Sequence, residues 1–111
     1  MRVYLAGPMT VVGPPTYNYP AFFQAEAELL QSDPSLEITN PAREHDDADG
    51  NPIFDKPHTE YMRTAVLNIT ECDAVILLPG WERSPGVRVE ITVAQALGLP
   101  VTSINEWRNP K

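Results

Sequence analysis

The chain has 111 residues, 42% hydrophobic and 21% charged, the profile of one globular domain over residues 1–111 rather than of a disordered chain. A net charge of −7 argues against a nucleic-acid polymer as partner, because binding one takes many Lys and Arg contacts, yet a single small anion could still be held at a helix start. The lone cysteine, Cys72, excludes an internal disulfide and lies where a packed thiol is expected; no stretch reads as a signal peptide or approaches the ~18 apolar residues of a membrane span. A cytoplasmic protein without membrane contact is expected.

The elements alternate along the chain. Arg2 to Ala6 is a short apolar run stopped by Gly7-Pro8, a strand followed by a break. Pro20 to Gln31 opens on proline, as helices often do, and carries Phe22, Phe23, Leu29 and Leu30. Leu36 to Thr39 is a brief strand closed by Asn40-Pro41. Thr59 to Thr70 spaces Tyr61, Met62, Ala65, Val66 and Ile69 as a helix does. Ala74 to Leu78 is a continuous apolar run, the pattern of a strand covered on both faces. Pro85 to Leu97 reads as a helix with Gly98 as its stop, and Val101 to Ile104 as the last strand.

Strands alternating with helices predict an α/β fold, a parallel sheet of four or five strands with helices on both faces. Ligands of such sheets bind beyond the carboxyl ends of the strands. Three loops leave strands at that edge: Gly7 to Tyr19, Asn40 to Pro57 and Pro79 to Ser84. The second contains His45, Asp46, Asp47 and Asp49, whose spacing fits no metal motif and reads as a solvated acidic lid, so no metal is expected.

At 100° per residue, Arg88, Thr92 and Gln95 share one polar stripe of the third long helix. Glu90 falls on the opposite side with Val87, Ala94 and Leu97, as the one charged residue there. An acid near a helix start gains about 0.3–1 kcal/mol from the helix dipole, but it would collect that on the wet face too. An inward carboxylate is costly to desolvate, so Glu90 either has a hidden partner or lines a ligand cavity; its place at a strand end favours the cavity. Ser84 is a good N-cap, Pro85 a good first residue, and Gly86 lowers helix propensity where a ligand could approach the backbone. Free N–H groups at Gly86 and Val87 would make a phosphate seat, and Trp81 and Tyr4 supply flat aromatic surface nearby.

The stretches YLAGPM (Tyr4–Met9), NPA (Asn40–Ala42), YMR (Tyr61–Arg63) and CDAVILLPGWERSPGVRVE (Cys72–Glu90), in this order and spacing, resemble the nucleoside 2-deoxyribosyltransferase-like superfamily, and most closely its short branch of unknown function. The resemblance covers nearly the whole chain, from Tyr4 to about Ile104. It implies a flavodoxin/Rossmann-like sheet, a homo-oligomer (dimer or tetramer) and no cofactor. It implies Glu90 as the catalytic carboxylate and Tyr4 as the residue that positions it. Ser84 stands where deoxyribosyltransferases carry an acid for the sugar 5′-hydroxyl, and so resembles the nucleotide N-hydrolase branch, in which a serine helps bind a 5′-phosphate. Asp73 matches an aspartate that is mainly structural. Gly7, Pro8, Asn40, Arg63, Trp81, Ser84, Gly86 and Val87 are the expected substrate contacts, with Arg63 or Arg88 as sources of positive charge. The chain departs from the pattern at Ala65, where a second acid near the base is usual; Asp46, Asp47, Asp49 or a neighbouring subunit would have to protonate the leaving base.

The implied chemistry is attack of Glu90 on the anomeric carbon of a nucleoside 5′-monophosphate, through an oxocarbenium-like transition state to a glycosyl-enzyme, with hydrolysis favoured over transfer. The alternative is a nucleotide-binding sensor or sequestering protein without turnover.

Overall fold

The computed structural model describes residues 1–53 and 55–109. In chain order the elements are β1 (Arg2–Ala6), α1 (Tyr19–Ser32), β2 (Glu37–Thr39), α2 (Pro41–Glu44), α3 (His58–Thr70), β3 (Ala74–Leu77), α4 (Pro85–Ala96), β4 (Val101–Ser103) and α5 (Ile104–Arg108), with one 3-10 turn at Trp81–Arg83. The four strands form one parallel sheet in the order β2-β1-β3-β4. This is a flavodoxin/Rossmann-like α/β fold, and its switch point lies between β1 and β3, where the connections leave in opposite directions.

Alternation along the two central strands sorts the core into two layers. Val3, Leu5, Ala74 and Ile76 face a layer built on Phe22, Ala25 and Leu29 of α1 and on Ile104 of α5. Tyr4, Ala6, Val75 and Leu77 face the opposite layer, with Ile69 of α3 and Val87 and Ala94 of α4. Val3, Leu5, Val75 and Ile76 are fully buried, each worth about 1.5–3 kcal/mol against exposure. Cys72 is a buried free thiol whose pKa burial pushes up, the packed role expected of it. Asp73 accepts a hydrogen bond from the Arg2 amide at 2.8 Å and so stitches β1 to the start of β3.

Helix boundaries agree with local chemistry. Asn40 caps α2, its side chain accepting from the Ala42 amide at 3.0 Å. Gly98 ends α4 at φ +74, with its amide on Gln95 O and the Leu99 amide on Ala94 O, the pattern of a Schellman motif. Two expectations need correction. Ile104 does not extend the last strand but opens α5, because the Ser103 side chain accepts from the Glu106 amide at 3.2 Å and caps a helix there. Leu97 does not share the inward side with Glu90; it follows the last turn of α4 and is half exposed. Among the described residues no helix is long and apolar enough to cross a membrane.

Candidate active site

A cavity of about 320 Å³ opens beyond the carboxyl end of β1. Its floor is made by Tyr4 to Gly7. One wall is the start of α4 (Ser84, Gly86, Val87, Glu90), another is the first half of α3, and the third is made by Pro41, Glu44, His45 and Lys56. Its size and mainly apolar lining suit a small organic ligand.

Glu90 is 7% exposed and lines this cavity. The Tyr4 hydroxyl donates to Glu90 Oε2 at 2.7 Å. Among the described residues no Lys, Arg or His lies within ion-pair distance of Glu90, so its charge is held by a phenol alone. Burial raises the Glu90 pKa to about 7, with the Tyr4 hydrogen bond pulling the other way. The Tyr4 hydroxyl is itself pushed well above its usual range, first by burial and then by the adjacent carboxylate. The phenol therefore stays a donor at any working pH. Arg88, Thr92 and Gln95 are exposed, so the helix presents Glu90 inward as its periodicity requires.

The start of α4 is built differently from expectation. The Val87 amide is not free: it donates to Ser84 Oγ at 3.3 Å, the ordinary N-cap bond. Gly86 keeps a first-turn amide that the helix itself gives no partner. A Cβ on Gly86 would lie 3.4 Å from Met62 Sδ, an ordinary contact, so packing does not demand glycine there. Gly7 is demanded by packing, since a Cβ would fall 2.9 Å from Leu78 Cβ and 3.2 Å from the Phe22 ring.

Of the expected substrate contacts, Gly7, Ser84, Gly86 and Val87 line the cavity. Pro8, Asn40, Arg63 and Trp81 are not among its lining residues. Pro8 is fully buried, Asn40 spends its side chain on the α2 cap and on Phe22 O, Arg63 is exposed, and Trp81 packs against the α3/α4 layer. Arg88 donates to the Glu82 carbonyl at 2.9 Å and also lies outside the lining. Ala65, where an acid is usual in the resembling superfamily, does line the cavity.

The acidic lid contributes in a way the spacing did not reveal. Asp47 uses its side chain to accept the Asp49 and Asn51 amides at 2.8 and 2.9 Å, and Asp46 and Asp49 line a separate groove beside Arg43 and Phe23. None of the three reaches the cavity. Its walls instead receive Glu44, His45, Lys56 and His58 from this segment, with Tyr61 and Met62 from α3. Both histidines of the chain thus meet in one cavity. The signal for the α3 residues was present: Tyr61, Met62, Ala65 and Ile69 share an apolar stripe, but only Ile69 is fully buried, because the others stop at the cavity. Among the described residues no group of His, Cys, Asp and Glu is arranged to hold a metal ion.

No curated protein and no solved structure matches the chain. The family described as Domain of unknown function (DUF4406) matches residues 1–103, and the chain belongs to that family.

Proposed function

We propose that the cavity binds a nucleoside 5′-monophosphate and that Glu90 cleaves its N-glycosidic bond. The observation that carries this reading is a buried carboxylate at the switch point, held by one phenol and facing a ligand-sized cavity. The base form of Glu90 attacks the anomeric carbon, the base departs, and water releases the sugar phosphate from the glycosyl-enzyme. Tyr4 fixes one oxygen of the carboxylate, and Ser84 with the Gly86 amide lies where the phosphate would sit. Hydrolysis is favoured over transfer, and no cofactor enters. Exposed Leu67 on α3 and Val89 on α4 support self-association as part of the same reading, in the cytoplasm.

Incubation with a panel of nucleoside 5′-monophosphates, followed by chromatography for free base, tests the proposal. The parent is expected to release base, and Glu90→Gln to lower that release by at least about a thousandfold. Equal release by parent and variant overturns the assignment of Glu90. A second reading, binding without turnover, is favoured by Ala65 in the cavity wall. Calorimetric binding of a nucleotide with no base on long incubation would establish it instead.

A further inference from the structure

We infer that His45 is the residue that protonates the leaving base, in place of a carboxylate at position 65. The inference rests on the glycosidase reading above and deepens it. A base leaving a glycosidic bond needs a proton from a positioned acid. Glu90 is committed to the sugar carbon, α3 offers only Ala65 at its expected position, and the aspartates of the 46–49 segment lie outside the cavity.

Four titratable side chains of the 44–58 segment line the cavity. Glu44, Lys56 and His58 are exposed, and Glu44 holds the Asn68 amide with both oxygens at 2.9 Å. His45 alone among them is half-buried. It is also fixed in place. Its carbonyl accepts the Tyr19 hydroxyl at 2.9 Å and the Ile53 amide at 2.8 Å, and its ring stands edge-on to Tyr61 at 4.6 Å and 89°. Tyr61 is a poorer donor, since its hydroxyl accepts the Lys56 amide and points its proton at Ile53 O. Burial lowers the His45 pKa, against the opposing pull of Glu44 and Asp55 and with the help of Lys56, so the imidazolium gives up its proton more readily than a free histidine.

The step balances as follows. The Glu90 oxygen not held by Tyr4 bonds to the anomeric carbon as the carbon–nitrogen bond breaks. The bonding pair goes to the base nitrogen, which takes the proton from His45. Water then bonds to the same carbon, its proton returns to His45, and the Glu90 carboxylate is released.

The experiment compares two leaving groups. Nucleoside 5′-monophosphates need a proton on the base, whereas the 4-nitrophenyl riboside 5′-phosphate releases nitrophenolate without one. His45→Gln is expected to slow base release by about a hundredfold while changing the first-turnover burst of nitrophenolate, which precedes the water step, by less than about threefold. Equal losses on both substrates, or no loss on either, overturn the assignment. If the parent releases nitrophenolate through Glu90 but no base, the nucleophile stands and His45 does not serve. If the parent releases neither, the glycosidase reading fails and the role of His45 falls with it. Thermal unfolding of the variant shows whether a loss is one of folding.

Discussion

Glu26 and Glu90 are buried to nearly the same degree, 9% and 7% exposed, on opposite faces of one sheet, yet they are treated differently. Glu26 lies on α1, and Arg43 Nε donates to both its oxygens at 2.9 and 2.7 Å. The same guanidinium lies 5.0 Å over the Phe23 ring, so the pair clamps α1 to the end of α2. Among the described residues Glu90 has only the Tyr4 phenol, and it opens onto a cavity. Burial of a carboxylate therefore does not by itself mark a site. What marks it is burial without a compensating cation, since a neutralised anion is a structural fastener and an uncompensated one stays available for chemistry.

The comparison breaks first at Glu90. Its pKa lies near 7 in the fold against 4.5 for an ordinary glutamate, so the protonated form favours the native state. That contribution is complete below about pH 4.5 and is lost as pH rises through about 7. Glu90→Gln keeps an oxygen for Tyr4 but carries no charge. Urea titrations of the variant should show it more stable than the parent above pH 8 by an amount on the order of 3 kcal/mol, with the gap closing toward pH 4. A pH-independent difference would mean that Glu90 is compensated as Glu26 is.

Tyr4→Phe removes the bond that holds the Glu90 pKa down. The rise with pH of first-turnover nitrophenolate release, which needs no proton from His45, should be centred near 7 in the parent and move to higher pH in the variant, and stability above neutrality should fall by about 1–3 kcal/mol, measured by chemical denaturation. Arg43→Ala should act on stability and not on chemistry. Because Arg43 is half in solvent, the expected loss is only about 1 kcal/mol, with base release unchanged. Arg63→Ala, at an exposed position outside the cavity lining, should shift stability by less than about 0.5 kcal/mol and leave nucleotide affinity as it was, read by calorimetry. A large loss of affinity there would restore Arg63 to the site.

The parallel sheet was legible because its strands are bounded by proline and glycine and its helices carry a clear apolar period. The inward side of Glu90 was legible for the same reason, and the Ser84 cap was readable from residue type. The cavity wall was not. Glu44, His45, Lys56 and His58 reach it only because Pro41–Glu44 forms a four-residue helix, too short to leave a period, and because the 45–57 return path is shaped by the side-chain turn at Asp47. Free amides at Gly86 and Val87 were expected where a cap consumes the second, since capping and anion binding draw on the same groups. The final helix was missed although Ser103 and Glu106 stand three apart as in a capping box; the valine and isoleucine around them suggested a strand.

The Tyr4–Glu90 hydrogen bond joins residues 86 positions apart, and the exposed Asp47–Asn51 turn lies between them. A backbone cut in that turn would place the carboxylate and its holder on separate polypeptides. Neither fragment would carry the pair alone; their complementation, through docking of β1 beside β3, would restore it.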